Sequence, residues 1–321
     1  MEDGNDDNAH DATSILTGDE FLKIGLKLVG HKGRRIRRCE KSTNVERFVE
    51  HHGSIPTICA IIWEDLQTTE VEEARVPVED LNVHFFLMAM HHLKRHPTEG
   101  EREAIFDVSK KWGRNKVWCF VEHIQALKAQ KIVWPEDNFG NDIWGLTVDG
   151  THCWIQEPGH ATWSQDPEFY SHKFNKAGCN YELGTSMSEC RLVWMNGPFK
   201  AGSNDVSIFK KKGLKAKLMA TGKKAIGDGG HNGHSHQMST PNSHDSKAVF
   251  KFKSRALKRH EKFNGLTKNF DCLDGRFRHS VDRFKNCFEA VCVISQCQIE
   301  NNRPLHDVLI DDGVMMEWML M

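Results

Sequence analysis

Apolar residues in the first part of the chain recur at helical intervals, and further on they alternate. In STNVERFVEHHGSIPTICAIIWEDL the positions Ile58, Ile61, Ile62 and Leu66 predict a helix, turn and helix, with Ser54 as a candidate N-cap and Pro56 early in the second helix. LNVHFFLMAMHHLKRHP sets Phe85, Phe86, Met88, Ala89 and Leu93 on one helical face, ended by Pro97. TEGEREAIFDVSKKWGRNKVWCFVEHIQALKAQKIVWPE predicts helices over 99–107 and 114–130, joined by a turn that contains Gly113. In a helix-turn-helix the N-terminal end of the second helix meets base edges and phosphates, which makes Arg114, Asn115 and Lys116 candidate DNA contacts. A plain three-helix packing domain with these residues solvated is the competing expectation.

Trp134-Pro135 and EDNFGND mark a change of character. Short stretches rich in β-branched and aromatic residues follow at 145–156, 180–187, 190–196 and 223–228, with a helix over about 204–217 that is interrupted at Gly213. Beyond residue 246 the pattern is helical again. Strands first and helices after predict a mixed sheet flanked by helices. The domains expected are an acidic disordered tail (1–20), a helical domain (21–136), a mixed α/β domain (140–302) and a C-terminal tail (303–321).

Composition narrows this picture only a little. The 321 residues carry a formal net charge of −1, so affinity for an anionic partner has to come from local patches such as HKGRRIRRCEK. That cluster is a candidate nuclear localisation signal or DNA-backbone contact, or else a solvated tail. No apolar run reaches the roughly 18 residues of a membrane span, and the acidic start is unlike a signal peptide, which points to a soluble, nuclear protein that passes through the cytosol. Ten cysteines without a C-x-x-C pair fit a reducing compartment, and Cys287, Cys292 and Cys297 read as helix core more readily than as a metal or redox site. No G-x-x-x-x-G-K-[ST] loop is present, which argues against ATP-driven chemistry.

Three acids change the reading. Asp149 interrupts the strand GLTVDGTHCWIQEP, with Thr147 and Thr151 on its face. Asp228 follows the apolar Ala225-Ile226 and is enclosed by Gly227, Gly229 and Gly230, which let a backbone or a ligand approach closely. Glu261 lies in the basic helix FKSRALKRHEKFNGLTKNF among Arg255, Lys258, Arg259 and Lys262. Each alone is explained by a surface strand, a tight turn and a helical ion pair respectively. Together, carboxylates gathered from strand, strand end and helix need cations to neutralise them, and Mg²⁺ or Mn²⁺ suits oxygen ligands. Two such ions about 3.5–4 Å apart activate an attacking water and stabilise the leaving oxygen of a phosphodiester. Lys210, Lys211 and Lys212, with Arg255, Lys258 and Arg259, are candidate contacts to the phosphate backbone.

These residues resemble the Harbinger transposases, a group of DDE endonucleases. Val148 to His152 is similar to the family's V-D-G-T-H strand motif, Gly227 to Gly230 to its G-D-G-G motif, and SRALKRHEKFNGLTKNF to a helix of the form SRAR-x-x-x-E-x-x-F-G-x-L-K-x-x-F. NGPFKAGSNDVSIF resembles its G-S-x-x-D-x-x-x-F segment. The resemblance extends over most of residues 40–305. It implies an RNase H-like fold with a mixed five-stranded sheet, Asp149, Asp228 and Glu261 as catalytic metal ligands for two divalent ions, and Asp205 as an accessory or helix-capping acid. It also implies endonuclease and strand-transfer activity at transposon ends and a Myb-like DNA-binding partner protein; a homo-oligomer is a separate expectation. His231 departs from the family's usual Tyr, and Thr267 from its G-R-L-K pattern. An inactive domesticated DNA-binding or adaptor protein is the alternative. The histidines of HNGHSHQ (His231, His234, His236), with His244 near, form either a solvated loop or a weak zinc set.

Overall fold

The computed structural model describes residues 15–140, 142–157, 166–211, 213–231 and 235–308. The chain forms two compact units that divide between Leu127 and Lys128.

The first unit is helical. It comprises α1 (Gly18–Leu28), α2 (Gly33–Arg38), α3 (Lys41–His52), α4 (Pro56–Thr68), α5 (Val83–Arg95), α6 (Glu99–Phe106) and α7 (Lys110–Ala126). Its centre is aromatic: the ring of Phe86 lies 5.9 Å from Phe21, 5.6 Å from Trp63 and 6.2 Å from Phe120. Pro56 is the first residue of α4, but the capping position is Ile55, and Ser54 is buried one residue earlier.

The turn between α6 and α7 is not at Gly113. Asp107 leaves α6 in the left-handed conformation, and the Ser109 hydroxyl accepts from the Trp112 amide to start α7 at Lys110. Gly113 lies inside that helix, where a Cβ would fall 2.9 Å from Val108 and 3.4 Å from Arg102. It is a packing glycine. Arg114, Asn115 and Lys116 therefore occupy the second turn of α7 rather than its N-terminal tip.

The second unit is an α/β domain. Its strands are β1 (Trp144–Trp154), β2 (Tyr170–Ser171), β3 (Lys176–Ser186), β4 (Leu192–Lys200), β5 (Lys224–Ile226) and β6 (Met238–Ser239). Its helices are α8 (Lys128–Lys131), α9 (Asp205–Lys211), α10 (Leu214–Thr221), α11 (Lys247–Lys268), α12 (Asp271–Asp274) and α13 (Val281–Asn301). The strand order is β2-β3-β1-β5-β6, with β4 also paired to β3. β2 and β4 occupy successive stretches of β3, at 176–177 and 179–185. β3 runs antiparallel to β1, β2 and β4, while β1, β5 and β6 are parallel. This mixed sheet with helices is an RNase H-like α/β fold. It has six strands rather than the five expected; the alternating stretches are β1, β3, β4 and β5, while β2 and β6 are two-residue strands, too short for alternation to reveal.

Register follows from burial. Leu146 and Val148 on β1 pack with Phe209, Leu214 and Leu218, whereas Trp144 and Ile226 pack with Val249, Phe252 and Ala256 of α11. A one-residue slip would turn the first pair away from its core, at about 1.5–3 kcal/mol for each large apolar side chain exposed. The unit begins at Lys128, upstream of Trp134-Pro135, since Lys128 forms an ion pair with Glu289 of α13.

Candidate active site

Asp149 and Asp228 are brought together by strand register. Parallel pairing joins Leu146 to Ala225 and Thr147 to Ile226, where β5 ends. Two residues further on each chain are Asp149 and Asp228. Neighbouring strands lie about 4.7–4.9 Å apart, so the two acids leave adjacent strands at the same level, at the carboxyl end of β5. Asp149 is half-buried and Asp228 exposed.

Each carboxylate is oriented locally. Asp149 Oδ1 accepts from the Gly150 amide at 2.8 Å, and Asp149 Oδ2 accepts from Asn264 Nδ2 at 3.1 Å. Asp228 Oδ1 accepts from the Gly230 amide at 2.9 Å. Asp205 joins them from α9. A Cβ on Gly150 would fall 2.5 Å from Asp205 Oδ1, and a Cβ on Gly230 would fall 2.9 Å from Asp228 Oδ1 and 3.6 Å from Asp205 Oδ2. The two glycines thus leave the space that Asp205 fills beside β1 and Asp228. Asp205 does not cap its helix, because Asn204 Oδ1 takes the Ser207 amide at 2.8 Å.

Glu261 is exposed on α11. It lies four residues after Leu257, which packs on the cluster containing Ile226, and three before Asn264, which bonds Asp149. The 3.6-residue period puts these three on one flank of the helix, the flank next to β1 and β5. Arg255 and Lys262 occupy the opposite flank, where they donate to the carbonyls of Asp307 and Pro304.

Residues 148–296 match the family model described as DDE superfamily endonuclease. They form a DDE superfamily endonuclease domain. No curated protein and no solved structure matches the chain. Asp149, Asp205, Asp228 and Glu261 all fall inside this endonuclease domain.

Three residues of the domain not singled out by the sequence hold α11 against the sheet, and one of them orients an acid. His260, Asn264 and Lys268 recur every fourth residue along α11 and face β1. The fully buried His260 ring lies 3.2 Å from Thr147 Oγ1, and burial lowers its pKa to about 4, so the ring is neutral near pH 7. Asn264 bonds both Asp149 and Thr151. Lys268 donates to the His152 carbonyl at 2.7 Å and also reaches Cys153 Sγ. The signal was a polar stripe at helical spacing, hidden by the many cations of the same helix.

One candidate DNA contact needs correction. Arg259 is buried, and its guanidinium donates to the carbonyls of Met187 and Glu189, where it stabilises the end of β3 and cannot reach a phosphate. Arg114 is held by Glu99 and Lys116 by Asp80, so both charges are already compensated, while Asn115 is exposed. Lys210, Lys211, Arg255 and Lys258 are exposed. Lys212, and His234 of the histidine loop, lie outside the described residues. Cys287, Cys292 and Cys297 are fully buried in α13, and burial pushes the Cys292 thiol well up.

Proposed function

We propose that this protein is a divalent-metal-dependent DNA nuclease of the Harbinger transposase type, which cuts phosphodiester bonds at transposon ends and joins the freed end to a target. The observation that carries the reading is the pair Asp205 and Asp228 beside Gly230 at the end of β5, with Asp149 at the same level on the adjoining strand. Side chains that supply only carboxylate oxygens, with space made for one of them by the missing Cβ of Gly150, suit hard cations and would repel one another without them. Asp149, Asp228 and Glu261 would hold Mg²⁺ or Mn²⁺, and Asp205 is the fourth acid available to do so. Such ions supply Lewis-acid activation of the attacking oxygen and stabilisation of the departing one.

The chain's own groups prepare that chemistry. Asn264 and the Gly150 amide fix the Asp149 carboxylate at both oxygens, which lowers the reorganisation needed when substrate arrives. Lys258, Lys210 and Lys211 offer positive charge to phosphates. A Myb-like partner, a homo-oligomeric state and nuclear residence belong to the same proposal.

The test is nicking of DNA that carries candidate terminal repeats, with Mg²⁺ or Mn²⁺, by the native chain and by Asp149→Ala, Asp228→Ala and Glu261→Ala. Cleavage should disappear in each variant. Cleavage that persists unchanged in all three would overturn the assignment, and a folded native chain with no metal-dependent cleavage would favour the inactive DNA-binding alternative.

A further inference from the structure

Gly150, His152 and Trp154 share one face of β1. Asp205 lies over the first, and the other two support a surface of a different kind. Phe174, at the tip of the β2–β3 hairpin, stacks on His152 with ring centroids 4.3 Å apart and an interplanar angle of 19°. It is nonetheless 44% exposed. Lys176 Nζ lies 4.6 Å from the Trp154 ring centroid, Arg276 Cζ lies 5.8 Å from it, and Lys173 Nζ is 5.4 Å from that of Phe174. A large ring held from beneath by a second ring, with cations around it, presents its outer face as a stacking surface.

We infer that this surface binds an unpaired DNA strand, with Phe174 as the stacking platform and Lys173, Lys176 and Arg276 as phosphate contacts. The inference rests on the nuclease reading, for it supplies the strand on which the acids would act.

Charge favours this occupant. Asp166 and Glu168, the acids nearest the hairpin's first strand, are both bound by Lys200 at 2.7 Å. Ring exposure favours a single strand over a duplex, since paired bases hide their faces and offer a ring nothing to stack on. His152 holds the Phe174 ring from beneath, and its own Nδ1 is fixed against Asn180 Oδ1 at 3.0 Å. Lys173 is the flexible group a base would displace, which frees its ammonium for the adjoining phosphate. The step of two residues along β1, about 6.6 Å, sets Asp205, Phe174 and the Trp154 cations in a row, so a strand lying on the platform leads toward the acidic centre.

The experiment is fluorescence anisotropy of the full-length chain in EDTA, with a labelled oligothymidylate and with a duplex of equal length. Phe174→Ala should lower the ratio of single-strand to duplex affinity about tenfold, the effect of losing one stacked base. Phe174→Tyr should restore it, and Met219→Ala, an exposed apolar residue on α10, should leave it unchanged. An unchanged ratio in Phe174→Ala, with its melting temperature intact, overturns the inference, as does an equal loss for both DNA forms. Because binding is read without metal, absent nicking together with a reduced ratio counts against the nuclease reading alone. Nicking that is present alongside an unchanged ratio counts against the platform alone.

Discussion

Asn264 Nδ2 donates to Asp149 Oδ2 at 3.1 Å while its Oδ1 accepts from Thr151 Oγ1 at 2.8 Å. The opposite orientation of the amide would set an oxygen against a carboxylate, so the two contacts fix each other. Thr151, on the same strand face as Asp149, thereby reaches the acid through a helix residue rather than directly. Asn264→Asp puts a second negative charge at this point. It should destabilise the chain in EDTA by at least about 1 kcal/mol, and added Mg²⁺ should raise its melting temperature more than that of the native chain. Equal metal responses would refute the coupling.

Gly150→Ala should drive the new methyl into Asp205. The 2.5 Å approach requires a shift of the carboxylate or of β1, at a cost of about 1–3 kcal/mol. In the double variant Gly150→Ala/Asp205→Ala the clash is gone, so stability should return while nicking stays lost. Chemical denaturation of the four proteins of this cycle measures the coupling, and additive losses would show that the two positions do not touch.

Glu289 is buried, and its carboxylate is met by Lys128 and by the Tyr181 hydroxyl at 3.3 Å. Burial and the neighbouring Glu289 charge push the Tyr181 pKa up, so the phenol stays a donor. Lys128→Ala leaves a buried acid short of its cation and should cost about 3 kcal/mol. Lys128→Met/Glu289→Gln should recover most of that loss. Urea midpoints give the comparison, and a single variant as stable as the native chain would contradict it.

Acid sensitivity should begin in the helical unit. His52 is fully buried between the carbonyls of Leu87 and Gly25, and the His51 and His91 rings stack at 5.7 Å. Burial first, then the nearby charge of His91, lowers His52 to about 3, while burial and His51 lower His91 to about 4. These values lie below the unfolded value of about 6.5, so the unfolded chain binds more protons as pH falls. Stability is therefore full above about 6.5 and declines as pH falls toward 4. Between pH 5 and 6.5, where carboxylates remain ionised, His91→Gln should flatten the dependence of melting temperature on pH. A slope equal to that of the native chain would refute this origin.

Much of the architecture was legible because burial writes itself as periodicity. Alternation marked β1 and β3, glycines on either side marked Asp228 as a strand end, and Gly213 marked the break between α9 and α10. Tertiary geometry was less visible. Gly113 has the composition of a turn and the role of a close helix contact, which only its neighbours Val108 and Arg102 reveal. Asp205 and Asn204 are equally good caps by type, and which one turns inward depends on Gly150, more than fifty residues earlier. Arg259 and Lys258 are adjacent cations of one helix, yet a rotation of about 100° between them separates a buried carbonyl clamp from a solvent-facing charge.

The edge of β1 that receives β5 carries a further consequence. β5 pairs with it only as far as Thr147, and Phe277 resumes pairing through the Trp154 carbonyl and the Gln156 amide. Between them, side chains replace a strand: the Asp149 carboxylate takes the Gly150 amide and the Lys268 ammonium takes the His152 carbonyl. A sheet interrupted at its own centre exchanges hydrogen unevenly. The amide of Gly150 should lose its deuterium protection well before those of Leu146 and Val148 on the same strand, so the backbone beside the acids is the loosest part of an otherwise locked β1.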